Sequence, residues 1–146
     1  YICGNAPCEV YKIVPIDCST TNYCTSTLNS GGTAASIGSS GPVSVADQDF
    51  TLTVSGVLPG KVGLYFYSAL KAQVPFGDGL RCVGGALTRM DPPSTADSSG
   101  TNSRALQFPT GEFQPGTVRN FQYWYRDPAS PNLFNLSDGL SVGFCP

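Results

Sequence analysis

Asn120-Phe121-Gln122-Tyr123-Trp124-Tyr125-Arg126-Asp127-Pro128 is the stretch whose reading decides the fold. In an extended chain successive side chains alternate, so Phe121, Tyr123 and Tyr125 face one way and Gln122, Trp124 and Arg126 the other. Each aromatic ring brings ~150–250 Å² of surface to bury. Both faces therefore need cover, which predicts a central strand, ended at Asp127-Pro128 because proline has no N–H to give to a ladder.

The neighbouring segments supply that cover. Phe50-Thr51-Leu52-Thr53-Val54-Ser55 alternates strictly and predicts a half-buried strand with Phe50, Leu52 and Val54 inward. After the Leu58-Pro59-Gly60-Lys61 turn, Val62 to Tyr67 carries Val62, Leu64 and Phe66 on one face and Tyr65 and Tyr67 on the other, a second strand covered on both sides. Gln73 to Gly79 reads as a short edge segment and tight turn leading into Leu80-Arg81-Cys82-Val83. Arg104 to Phe108 is a further strand, and Leu140, Val142 and Phe144 alternate in a closing one. Thr25 to Gly41 is small and polar, with Ala35 and Ile37 as inward candidates of a weak strand, and Asp91 to Asn102 reads as an exposed loop. The sum is an all-β chain, a β-sandwich or jelly roll of about eight strands at spacings near 8–12 residues.

Composition agrees and narrows the function classes. The chain has 146 residues, 12% of them charged, and a net charge of −2. No basic stripe supplies the phosphate-neutralising footprint of a nucleic-acid binder, and no apolar run is long enough to span a bilayer. The sequence begins at Tyr1 without methionine, which fits a secreted product whose signal peptide has been removed. Six cysteines favour disulfides in an oxidising compartment. Histidine is absent, so Ser-His-Asp and Cys-His catalysis are excluded. No pair of carboxylates commends itself for glycosidase chemistry. The expectation is a non-enzyme without cofactor or metal.

The first 22 residues differ from the rest. Cys3, Cys8, Cys18 and Cys24 lie in or just after them and bracket Glu9-Val10-Tyr11-Lys12-Ile13-Val14-Pro15-Ile16, one strand of ~20 Å. Taken alone, this pattern favours a first strand of the same sandwich. The sharper reading is an N-terminal arm, residues 1–22, whose donor strand at 9–16 completes the sheet of a neighbouring subunit, with residues 23–146 as the module.

Tyr23-Cys24-Thr25, Gly63-Leu64-Tyr65-Phe66-Tyr67, Gln73-Val74-Pro75-Phe76-Gly77, Arg81-Cys82-Val83-Gly84-Gly85, Phe121 to Pro128, Asn135-Leu136-Ser137-Asp138-Gly139 and Phe144-Cys145-Pro146 follow one another in an order that resembles a family of bacterial secreted modules. Such modules are usually C-terminal in longer exported proteins, especially of planctomycetes and myxobacteria. The resemblance covers Tyr23 to Pro146 and implies an extracellular β-sandwich with no established catalytic activity. Some members carry a second cysteine where this chain has Gly32-Thr33, which leaves the partner of Cys24 open. Here the module is preceded only by the cysteine-bearing arm, an arrangement similar to the protomer of an extracellular fibril.

Six cysteines permit 15 pairings. Cys82 with Cys145 is the favoured pair, because it would tie the tail strand to the middle of the module, while the arm cysteines pair locally or hold an arm to its neighbour. Asn135 stands in an Asn-x-Ser sequon, and Ser19, Thr20, Thr21 and Thr25 belong to hydroxyl-rich runs that could carry glycans. Trp124 or Tyr125 could form a sugar-stacking rim, although Arg126 more simply meets Asp127 or Asp138 in a structural network. Asp47, Asp49, Asp91 and Asp97 could offer oxygen to calcium, but turn capping explains them better. The functional expectation is a self-associating, head-to-tail filament subunit in which Val10, Tyr11, Ile13 and Val14 fill a neighbour's groove, Lys12 and Ile16 completing the strand. The alternative is a cell-surface adhesion or carbohydrate-binding module.

Overall fold

The computed structural model describes residues 18–107 and 112–146. The donor strand at 9–16, with Cys3 and Cys8, lies outside the described residues. The described residues form ten strands and no helix. Five make one antiparallel sheet: β1 (Thr20–Tyr23), β10 (Phe134–Gly143), β9 (Val118–Arg126), β4 (Val62–Ser68) and β7 (Thr88–Thr95), in that order. Three make a second, β2 (Ser36–Ser40), β3 (Thr51–Ser55) and β8 (Asn102–Ala105). A hairpin of β5 (Leu70–Phe76) and β6 (Gly79–Gly84) makes a third.

The aromatic strand β9 is the middle of the large sheet, between β10 and β4. Its two faces belong to two cores. Phe121, Tyr123 and Tyr125 join Tyr65, Tyr67, Ile37, Phe50, Leu52, Val54, Leu140 and Val142 in the core between the two larger sheets. On the other face Leu64, Phe66, Val83 and Leu136 form a smaller cluster with half-buried Trp124 and Phe134 against it, under the hairpin. The molecule is thus a β-sandwich with a hairpin laid on its outer face. Gln122, fully buried on that outer face, explains the hairpin's seat. Its carbonyl accepts from the Cys82 N–H at 2.8 Å, and its amide donates to the Leu80 and Ser137 carbonyls at 2.8 and 2.6 Å. A polar residue in the middle of an aromatic strand is satisfied by the backbone of the element it supports.

Three expectations are corrected. The segment from Asp91 is not simply a loop: β7 runs through Thr95, pairing Val62 with Thr95 and Tyr65 with Met90. Its composition hid it because it is a solvated edge strand, and Pro92 and Pro93 fall where the register shifts between Gly63 and Tyr65, so no ladder N–H is lost. The module also begins earlier than Tyr23. β1 pairs Thr20 with Val142 and Tyr23 with Gly139, a four-residue polar strand with no alternation to announce it. The disulfides are Cys18–Cys145 and Cys24–Cys82, with Cα atoms 5.3 and 6.2 Å apart, not Cys82–Cys145. Cys82 sits over the Tyr23 end of β1, where the Tyr23 hydroxyl donates to its carbonyl at 2.6 Å, while Cys145 follows the opposite end of β10.

Candidate functional site

The hairpin covers only part of the outer face. β6 lies against β10 and β9, and what remains over β4 and β7 is an apolar groove of about 290 Å³. Leu64 and Phe66 of β4 and Trp124 of β9 make its floor, Phe76 and Arg81 of the hairpin one wall, Leu87 and Arg89 the other. The floor follows from register: Leu64 pairs with Trp124 and Phe66 with Gln122, so side chains two apart on β4 point outward together. Phe76 and Leu87 are 42% and 39% exposed, which leaves large apolar surface at the groove's rim.

The wall is held in place from below. Phe134 packs on both Phe76 and Trp124, ring centroids 5.1 and 5.7 Å apart. At the hairpin tip Gly77 takes φ of 62° and a side chain there would collide with the Phe134 ring, so glycine is required. The Asp78 carboxylate accepts from the Ser130 hydroxyl and from the Asn132 backbone and side-chain amides at 3.1 and 2.9 Å. Those hydrogen bonds, Ser130's foremost, hold its pKa below the ordinary carboxylate value. Arg81 stands over the Phe76 ring at 5.9 Å, and its Nε is buried without a hydrogen-bond partner. Among the described residues the one ion pair is Arg89 with Asp91, at 3.7 Å.

The sheet edges are closed to different degrees. On one side the Ile37 N–H donates to Asp138 at 2.9 Å and its carbonyl accepts from Asn22 at 2.7 Å, so β2 is capped by side chains. On the other, Arg104 donates to the Met90, Asp91 and Pro92 carbonyls and covers β7. β5 is different: β6 is its ladder partner, and almost all of Leu70–Phe76 is exposed.

The other residues singled out from sequence fall into place around this. Trp124 is in the groove, but Tyr125 is fully buried in the inner core, its hydroxyl accepting from Asn29 at 3.2 Å, so it cannot form a sugar rim. Asn135 is fully buried too, its amide turned to the Leu28 carbonyl at 3.3 Å, and is closed to glycosylation in the folded chain. Ser19, Thr20, Thr21 and Thr25 are exposed. The expected Arg126 network is not formed: Asp127 is buried and bonded by the Ser30 N–H and hydroxyl, and Asp138 serves Ile37 and Asn22. Asp97 caps its own turn, accepting from the Ser99 and Thr101 amides at 2.9 and 3.0 Å. No cluster of three metal-ligating side chains occurs among the described residues.

The chain matches no family model, no curated protein and no solved structure. Among the described residues no helix is long and apolar enough to cross a membrane. Sequence reasoning missed Phe76, Arg81, Leu87 and Arg89 as site residues. The signal available was the double-faced pattern of Leu64, Phe66 and Trp124, which calls for outer cover that one short hairpin cannot complete.

Proposed function

We propose that this chain is a structural, non-enzymatic subunit of an extracellular filament, in which residues 9–16 of one copy add along the free edge of β5 of the next and turn apolar side chains into the groove. The observation that carries this reading is the half-covered outer face: an apolar groove beside an uncapped edge strand, on a sandwich whose β2 and β7 edges are covered by side chains.

The tether supports an intermolecular arrangement. Cys18 is bound to Cys145, beyond the end of β10 far from Phe134, and β10 lies two strands from β4. Strand spacing and rise put it ~20 Å from Phe66. Val14 is four residues from Cys18, a reach of at most ~14 Å, and Ile16 less. Val14 and Ile16 are thus out of reach of their own chain's groove, whereas Tyr11 and Glu9, seven and nine residues from Cys18, are not. A second copy can place the whole strand there, and a head-to-tail contact that does not close into a ring propagates. The two disulfides fit an oxidising, extracellular setting and a resistant fibre, as does the resemblance to secreted modules.

A second reading, a glycan-binding module, rests on Trp124 in the groove and the exposed hydroxyls near β1. The groove's lining of five apolar side chains and two arginines suits an apolar segment better than a sugar, whose hydroxyls need matched polar partners.

Electron microscopy of the purified chain without reductant tests the proposal. Filaments are expected from the intact chain and from neither a variant lacking residues 1–17, which keeps both described disulfides, nor Leu87→Asp, which charges the exposed rim. Filaments from the shortened variant would overturn it.

A further inference from the structure

The groove is apolar except for its two arginines, and they are not equivalent. Arg89 has Asp91 at 3.7 Å. Arg81 has no carboxylate partner among the described residues, its Nε is buried without a partner, and its guanidinium stands over the Phe76 ring. A cation half-buried beside Leu64, Phe66 and Trp124 is costly unless the bound state supplies an anion.

We infer that Glu9 of a second copy of this chain is that anion, and that the Glu9–Arg81 pair fixes the register of assembly. The inference rests on the filament reading above and specifies its contact. Residues 1–17 contain two acids, Glu9 and Asp17. Asp17 is one residue from Cys18, which is bonded to Cys145, whereas Glu9 is nine residues from it. In an extended strand Glu9, Tyr11 and Ile13 share one face, about 7 Å apart along it. Glu9 on Arg81 then sets Tyr11 and Ile13 over the Phe66 and Trp124 floor, and Lys12 faces away from both arginines. A strand slipped by one residue would present Val10 and Lys12 to the groove instead, leaving Arg81 without an anion and setting an ammonium over the apolar floor. Guanidinium and carboxylate pair in a directional, two-point geometry, which suits a register contact.

The test uses full-length chains and exploits the difference between a pair within one molecule and a pair between two. Glu9→Arg alone and Arg81→Glu alone each bring like charges together, and each is expected to raise the critical concentration for filament growth tenfold or more, on the order of close interfacial charge pairs. An equimolar mixture of the two variants is expected to polymerise near the wild-type concentration, because each arm then meets a groove of opposite charge. Unchanged thermal melting of the isolated variants confirms that the fold survives, and Arg81→Gln, with a milder rise, serves if Arg81→Glu does not fold. If both single variants polymerise like wild type, the register pair is wrong while the filament reading stands. If both fail and the mixture also fails, Glu9 and Arg81 do not meet between copies. A wild-type chain that never polymerises sinks both readings.

Discussion

The two faces of the five-stranded sheet are built from the same strands and have opposite characters. The inner face is sealed: Tyr65, Phe121, Tyr123 and Tyr125 are at most 1% exposed, under a second sheet that spans them. The outer face receives a hairpin seated on Gln122 and tied by Cys24–Cys82, and the hairpin stops short of β4 and β7. One face stabilises the fold, and the other leaves apolar surface uncovered, where the proposed neighbour's arm would dock. Substitutions on the two faces should therefore separate stability from assembly.

The sharpest separation is between two phenylalanines. Phe121→Ala removes a fully buried ring and is expected to cost about 3–5 kcal/mol, a large share of the roughly 5–15 kcal/mol that holds a domain folded. Phe76→Ala, at 42% exposure, is expected to cost about 1 kcal/mol or less in urea unfolding while abolishing filaments. Equal losses of stability would break the contrast. Next in size is the tie across the outer face. Cys24→Ser with Cys82→Ser opens a loop of 58 residues, worth about 4 kcal/mol in the chain-entropy account. Amide exchange should then quicken in β5 and β6 before β9.

A smaller effect has the opposite sign. The Tyr123 hydroxyl is buried in the inner core without a partner, and burial pushes its pKa up to about 12. Tyr123→Phe removes an unpaired polar group and should stabilise by about 1 kcal/mol. The smallest effects are two carboxylates that titrate in opposite senses. Burial raises the pKa of Asp138 above its ordinary 3.8, so its protonated form favours the folded state. Its contribution grows as pH falls through that raised value toward 3.8 and is absent at neutrality. Asp78, bonded by Ser130 and Asn132, is depressed below 3.8, so its contribution is present above 3.8 and lost as pH falls through the lower value. Urea midpoints across the acid range should lose the first slope in Asp138→Asn and the second in Asp78→Asn.

Much of this was legible in the sequence, where a residue's pattern reports its own burial. The alternation of Phe121 to Trp124 and of Leu64 to Tyr67 identified the central strands and their two covered faces, and Gly77-Asp78-Gly79 the hairpin turn. What failed depends on distant partners. β1 and β7 are polar or proline-bearing edge strands held by Val142, Gly139 and Met90 pairings, and Cys82 finds Cys24 because β6 folds over β1's end. Asn135 reads as an exposed sequon until its carbonyl partners in the Thr27-Leu28 segment are seen to bury it. The groove was the least legible feature, since it exists where cover ends rather than where any motif lies.

The most direct measurement of the central claim uses the protein's single tryptophan, which is in the groove. Fluorescence of the intact chain, followed across the concentration at which it begins to sediment, should shift to shorter wavelength as a neighbour's arm covers Trp124. The same chain with Leu87→Asp should neither sediment nor shift. Sedimenting filaments with an unchanged Trp124 spectrum would mean that assembly uses another surface, and the half-covered face would need a different partner.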